Sequence, residues 1–397
     1  MQACDIEFPI PVAVRSVDSA LDLDGLIRNA QHHIDDNNDF NAHHIRLYDA
    51  KDDVTCDYTI ILNPSLNHPS PSTTLHHGNR TLFVSYLPQQ YIVLPEYLSR
   101  TVLALFASER RYIRSVLHRS SNDVGSLNEF SRRVVRGSRK YQATFSLLNG
   151  GGEDAVESWD IAEALKRMIP LLCSIDQLVY LDPLLRTLGT VANFTVDSQV
   201  QFYAGLSFEP ETHVETGEHI VPLDKLPSFV NSAEWNLATA IVSYPVINFI
   251  LYIPHPSLQP LYLESTDNSD SHRNSFFVPQ WGGVHILNPP HGTKHLDAAS
   301  LRPAFATFIT HLLSLLGTPP LSESIPAEGR VILSTWQLDG LVRQRAAENL
   351  VAAGGTMGSL ARLVRKIPNM AIPQEIRSDV LLTLSHLDKV HSALSLY

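Results

Sequence analysis

At 397 residues, with 44% hydrophobic and 18% charged side chains, the chain is long enough for one large domain or two to three ordinary ones. It is also apolar enough for a substantial core. Thirty Lys and Arg against 41 Asp and Glu give a net charge of −11, which argues against general nucleic-acid binding. The three cysteines, Cys4, Cys56 and Cys173, fit neither a CxxC pair nor a zinc spacing and allow at most one internal disulfide.

In chain order, "IEFPIPVAV" (6–14) reads as a first strand and "DSALDLDGLIRNAQHHI" as a helix, with Leu21, Leu23, Leu26 and Ile27 apolar. "YTIILN" (58–63) is a short apolar run fit for a buried strand. The Pro-, Ser- and Asn-rich stretch 63–79 reads as a surface loop. "RTLFVSYL" and "QQYIVLP" read as a strand pair. From Leu94, apolar side chains at Leu98, Val102, Leu105, Phe106, Ile113 and Leu117 recur at helical spacing. A polar, basic connector precedes the strand "YQATFSLLN" (141–149). Trp159–Leu172 reads as an amphipathic helix and "LDPLLRTLG" as a further helical piece. "NFTVDSQVQFY" (193–203) follows as a strand, with β-branched and aromatic side chains.

In the second half, "VINFILYIP", "PLYLES" and "WGGVHILNPP" are strand-like, and "LRPAFATFITHLLSLLG" is a helix closed by Gly317. The apolar stretch 237–253 is broken by Thr239, Ser243, Pro245 and Asn248 and is shorter than a membrane span; it reads as a helix end, a proline and a buried strand. From residue 330 onward almost everything is helical. The expected fold class is therefore α/β: a mixed central β-sheet flanked by helices, followed by a helical C-terminal region. The expected division is an α/β core over 1–329 and a helical region over 330–397.

Catalytic signatures are missing from the sequence: it contains no G-x-S-x-G, H-E-x-x-H, G-x-x-x-x-G-K-[ST] or G-x-G-x-x-G. His32, His33, His43 and His44 lie close in sequence to Asp35, Asp36 and Asp39, but adjacent histidines on a regular element cannot both reach one ion. Cys173, inside "MIPLLCSI", has the apolar setting of a buried free thiol rather than a nucleophile. No metal or cofactor is expected. Arg110–Lys140 holds nine basic and two acidic residues, so that segment is +7 and the remainder −18. It reads as a solvated helix face with a loop, or as a surface for phosphate headgroups or an acidic partner, with Arg132, Arg133 and Arg136 the contact candidates. In "QWGGVHILNP", Trp281 offers a ring that a sugar can stack on, and Gly282 and Gly283 allow another backbone or ring to approach closely. Asn79-Arg80-Thr81 and Asn193-Phe194-Thr195 are N-glycan acceptor patterns, meaningful in a secretory lumen. The N-terminal residues lack the basic start and apolar run of a signal peptide.

The blocks "YQATFSLLNGGG", "ESWDIAEAL", "NFTVDSQVQFYA", "SYPVINFILYIP", "FFVPQWGGVHILN" and "STWQLDGLVRQRAAENL", in this order and spacing, resemble the PIG-S family of glycosylphosphatidylinositol (GPI) transamidase subunits. The resemblance implies a luminal domain excised from a protein with a membrane span near each end, in the endoplasmic reticulum. It implies a non-catalytic scaffold whose partners are a cysteine-protease-like catalytic subunit and accessory membrane subunits, together with GPI lipid or precursor protein. The alternative is a module that binds the GPI glycan or its headgroup. Asn193 matches the family's glycan acceptor; Asn79 has no such counterpart. A stand-alone hydrolase with a dispersed site is the third reading, and it requires a pocket that gathers a nucleophile and a base.

Overall fold

The computed structural model describes residues 7–18, 21–40, 42–52, 54–65, 70–76, 79–117, 134–135, 137–151, 156–160, 181–213, 217–230, 235, 237, 242–265, 273–290, 292–322, 325, 327–328, 333–367 and 373–395. Its first elements are β1 (Phe8–Ser16), α1 (Leu23–Asn37), β2 (His43–Asp49), β3 (Tyr58–Pro64), β4 (Ser72–His76), β5 (Thr81–Tyr86) and α2 (Leu94–Leu117). Then come β6 (Lys140–Asn149), β7 (Ser158–Trp159), α3 (Leu181–Thr187), β8 (Asn193–Gln201), β9 (Glu211–Thr212), β10 (His219–Val221), α4 (Leu226–Phe229) and β11 (Val246–Ile253). The last are β12 (Leu261–Leu263), β13 (Ser275–Val278), β14 (Gly282–Ile286), β15 (His295–Leu296), α5 (Ala298–Leu316), β16 (Ala327–Glu328), α6 (Thr335–Lys366) and α7 (Gln374–Ser395). The mixed sheets, flanking helices and helical C-terminal region match the α/β class expected from the sequence. Contacts group the chain into two compact units, residues 1–127 with 319–397, and residues 128–318.

The first unit is built on a six-stranded sheet in the order β16-β4-β5-β3-β1-β2. β1 pairs in parallel with β2 and β3, and β3 in parallel with β5. Strands β2 to β5 alternate buried and half-buried residues, so one face carries the core. That face meets Leu26, Ile27, Ala30 and Ile34 of α1 and Leu94, Leu98, Val102, Leu105 and Phe106 of α2. Asp22 caps α1 by accepting from the Gly25 N–H at 3.1 Å. Ser334 and Gln337 form a capping box at the start of α6, each side chain accepting from the other's backbone N–H. The early part of α6 buries Trp336, Leu341 and Ala347; beyond Ala347 no residue of α6 is buried, nor is any described side chain of α7.

Two local expectations need correction. Residues 72–76 form a strand, β4, antiparallel to β5, because Thr73 and Leu75 alternate inward although the run reads as polar loop. "QQYIVLP" is not a strand: Pro88–Gln90 form a 3₁₀ turn, and α2 begins at Leu94 with Pro95 in its first turn, where a proline is tolerated. The amphipathic helix expected over 159–172 lies, apart from Trp159 and Asp160, outside the described residues; Trp159 belongs to β7.

The second unit has a five-stranded sheet, β13-β14-β11-β6-β8, parallel from β14 to β8. β6 and β11 are nearly continuous buried runs, the pattern of strands covered on both faces. On one face Phe305 and Phe308 of α5 pack on Phe145 and Phe249. On the other, Phe229, Trp235, Tyr252 and Phe276 form an aromatic cluster. α5 is long and apolar enough to cross a membrane by length and composition, yet here it buries Leu301, Ala304, Phe305, Phe308, Ile309, Leu312, Leu315 and Leu316. It ends at Gly317, whose φ of 73° gives the left-handed cap that its sequence implies.

The two glycines after Trp281 serve the close approach their sequence implies. A Cβ on Gly282 would lie 1.7 Å from the Asn248 carbonyl oxygen, and one on Gly283 would lie 2.1 Å from Nδ1 of His311. His311 and the buried His285 of β14 carry ring nitrogens without hydrogen-bond partners. Burial pushes both imidazoles down to about 4, and His311 adds to the effect on His285.

Gly283→Ala is expected to destabilise the fold by about 1–3 kcal/mol, through overpacking against His311; urea unfolding measures it. Both histidines fold with depressed pKa values, so their contribution is complete above the unfolded value of about 6.5 and drains as pH falls towards about 4. A melting midpoint that drops between pH 7 and 5, with a shallower drop in His285→Leu, is the expected outcome.

Candidate functional site

In an open parallel sheet, ligands bind where strand order reverses, at the carboxyl ends of the strands. In the second unit that place is the crevice between β6 and β11, lined by Asn149, Gly151, Val156, Ile253, Pro254, Pro256, Gln259, Pro289, Pro290, Gly292 and Thr293. Its cavity is about 10 Å³, room for about one water. The buried Asn149 donates through Nδ2 to the Val156 carbonyl at 2.7 Å and accepts from the Gly151 N–H at 3.1 Å. Gln259 Nε2 donates to the Pro254 carbonyl at 2.8 Å. A Cβ on Gly150 would meet the His255 nitrogen at 2.4 Å, so even one more carbon is too much here.

In the first unit, charge is concentrated under α6. Glu109 of α2 is 2% exposed. Arg343 of α6 donates to it twice, Nε to Oε1 at 2.5 Å and Nη2 to Oε2 at 2.8 Å. The Nε2 of His43 lies 3.3 Å from Oε1. Arg343 Nη1 also donates to the Tyr58 hydroxyl at 2.8 Å, and that hydroxyl donates to Asp339 Oδ2 at 3.2 Å. Arg80 closes the chain, donating to both carboxylate oxygens of Asp339 at 2.6 and 2.8 Å. Burial alone would raise the Glu109 pKa, but the Arg343 charge and the hydrogen bonds from Arg343 and His43 outweigh it and hold it at about 2. Burial works against the Arg343 cation too, and Glu109 keeps it charged. A general acid or base works best with a pKa near the operating pH. Glu109 is held far from that range, and its oxygens are occupied.

The third cluster is a Ser–His–Asp trio on the ribbon of β7 and β15. Ser158 Oγ lies 2.8 Å from Nδ1 of His295, and Nε2 of His295 lies 3.1 Å from Oδ2 of Asp160. The hydrolase reading needs such a trio inside a pocket. Here Ser158 and His295 are exposed, with 48% of the His295 side chain open to solvent. The trio and the Lys294–Glu157 ion pair at 3.6 Å fasten two short strands together.

The residues singled out by sequence fall in separate places. Asn79 is exposed in the turn before β5, next to the clamped Arg80. Asn193 is exposed as the first residue of β8, and Thr195 Oγ1 donates to the Tyr141 carbonyl at 3.2 Å. Trp281 is half-buried against the aromatic cluster of its unit. Arg132, Arg133 and Arg136, with Cys4 and Cys173, lie outside the described residues. Cys56 is a free thiol whose pKa is raised by burial and by Asp57 and Asp52, the wrong direction for a nucleophile. The clustered histidines diverge: His43 turns to Glu109, His44 accepts from Arg46 at 2.7 Å, and His32 pairs with Asp36 at 2.8 Å on the surface. Among the described residues, no group of three or more His, Cys, Asp or Glu is placed to hold a metal ion.

Residues 1–396 match the family model described as Phosphatidylinositol-glycan biosynthesis class S protein. The chain belongs to the PIG-S family. The human relative, named GPI-anchor transamidase component PIGS, is 33% identical over 272 residues, 65% of this chain and 46% of the relative. The Schizosaccharomyces pombe relative, GPI transamidase component PIG-S homolog, is 31% identical over 292 residues, 73% of this chain and 49% of the relative. The Saccharomyces cerevisiae relative, GPI transamidase component GPI17, is 26% identical over 252 residues. The chain thus spans about half the length of these PIG-S proteins.

Replacing Glu109 by Gln leaves the Arg343 charge buried without its partner and is expected to cost about 3–5 kcal/mol, read by denaturant unfolding. Because Glu109 folds with a lowered pKa, its stabilisation is complete above the unfolded value of about 4.5 and fades as pH falls towards about 2. The acid limb of the stability curve is expected to flatten over that window in Glu109→Gln.

Proposed function

We propose that this PIG-S family member is a non-catalytic scaffold subunit of a GPI transamidase, displayed on the luminal side of the endoplasmic reticulum membrane. There it supports attachment of GPI anchors to precursor proteins. The observation that carries the reading is the family match across the chain, with relatives in three organisms named as components of that transamidase. Its partners are the cysteine-protease-like catalytic subunit and accessory membrane subunits, with GPI lipid or precursor protein at the same assembly. Asn193 and Asn79, both exposed, are the glycan acceptors.

The non-catalytic part of the proposal draws on where the polar groups are spent. Asn149 and Gln259 in the switch-point crevice spend their amides on backbone groups, Glu109 is ionised and doubly bonded, and the Ser158 trio lies on an open ribbon. The competing reading, a module that binds GPI glycan or headgroup, draws on the basic segment Arg110–Lys140, of which 118–133 and 136 lie outside the described residues, and on Trp281, whose half-buried ring has less face to offer a sugar.

Affinity capture of the full-length protein is expected to recover the catalytic transamidase subunit; capture without it contradicts the proposal. Asn193→Gln and Asn79→Gln are each expected to remove one glycan's mass from the luminal protein, read by gel mobility before and after endoglycosidase treatment.

A further inference from the structure

The turn between β5 and α2 leaves apolar side chains open to solvent. Ile92 is 93% exposed, Val93 53% and Tyr91 38%, and Val17 at the end of β1 is 66% exposed. The turn is fastened to its base. The Gln90 N–H donates to the Leu87 carbonyl at 2.9 Å and the Val93 N–H to the Gln90 carbonyl at 3.1 Å. The Tyr91 hydroxyl donates to Asp18 Oδ2 at 3.2 Å, which joins this turn to the segment holding Val17. Val17 is itself fixed, its N–H donating to the Leu62 carbonyl of β3 at 3.1 Å. The patch therefore sits by the carboxyl ends of β1 and β3, where strand order in the first unit reverses. Apolar side chains this exposed, on backbone held in one shape, mark a docking surface, since little order has to be imposed when they bind.

Charge decides the occupant. From Thr81 to Pro95 the sequence has no charged residue. The flanking segments 15–24 and 86–96 hold Asp18, Asp22, Asp24 and Glu96 against Arg15 alone, and Glu96 is paired with Arg100 at 2.9 Å. An anionic lipid surface attracts Lys and Arg and is repelled by such a rim. A second copy docking through the same patch would bring two acidic rims together, because a two-fold contact meets itself. We infer that Tyr91, Ile92, Val93 and Val17 dock into an apolar pocket, rimmed by Lys or Arg, on a different protein. Electrostatic complementarity then sets the register and Ile92 is the anchor. The inference deepens the scaffold reading and rests on it.

The test places a p-benzoyl-phenylalanine photo-cross-linker at position 92 of the full-length protein in its membrane assembly. Adducts are mapped by mass spectrometry, and co-purifying transamidase subunits are scored in the same sample. The expected result is an adduct to another protein, in a segment where apolar residues neighbour Lys or Arg, together with a several-fold loss of that partner in an Ile92→Asp variant. Ile92 is so exposed that the substitution spares the fold, which the melting midpoint checks. An adduct to lipid or to a second copy, or no adduct while the subunits still co-purify, overturns this docking surface and leaves the scaffold reading standing. Absence of both adduct and co-purifying subunits overturns the two together.

Discussion

Burial of the Glu109 carboxylate is the constraint around which the first unit is organised. A carboxylate taken out of water is costly unless a cation meets it with good geometry. The cation is Arg343, 234 positions along the chain, and it approaches with two parallel donors. The remaining bonds follow from that choice. Arg343 has donors to spare and gives one to Tyr58; the Tyr58 hydroxyl donates in turn to Asp339, and Asp339 accepts the fork of Arg80. The rings of Tyr58, Phe106 and Trp336 pack edge-on and tilted against one another, and the Arg343 guanidinium lies 5.7 Å from the centroids of both Tyr58 and Phe106. The early turns of α6 are thereby held to strands formed by the N-terminal residues, which is why residues 319–397 group with residues 1–127.

The second unit meets a different constraint, the close approach of backbone and rings at two neighbouring glycines. Gly282 and Gly283 let β14 lie against Asn248 and His311, and the cost is a buried His285 with neither ring nitrogen bonded and a His311 whose Nδ1 is unbonded. Among the described residues, Glu109, His285 and His311 are held with pKa values well below neutral. What both leave over is surface: the exposed Asn79 and Asn193 and the apolar turn at Ile92.

Much of this was legible in the sequence where periodicity and sterics were strong. β1, α2, β6, β11 and α5 follow from apolar spacing, and the Gly317 cap and the close-approach role of the WGG glycines follow from the absence of a Cβ. β4 was hidden because a strand made of Ser, Thr and a single Leu has the composition of a loop. The 88–93 turn was misread because β-branched residues there serve exposure rather than pairing. The ion pair left a signal that is visible in hindsight. Glu109 stands on the apolar stripe of α2, between Phe106 and Ile113, where a carboxylate demands a buried cation. Which cation answers it is a tertiary fact that no local pattern carries. The Ser158–His295–Asp160 trio is likewise assembled by the pairing of β7 with β15, 137 residues apart at the Ser–His contact.

Under the proposed scaffold function, the Glu109, His43 and Ser158 side chains hold shape and the work is done by the surfaces presented to partners. The most direct measurement is turnover per assembled complex, with quantity and activity scored separately in membranes carrying full-length Glu109→Gln, His43→Asn or Ser158→Ala variants. The claim predicts that these changes alter how much complex assembles while each assembled complex turns over at the unsubstituted rate. A fully assembled complex that has lost turnover through any one of these side chains would contradict it.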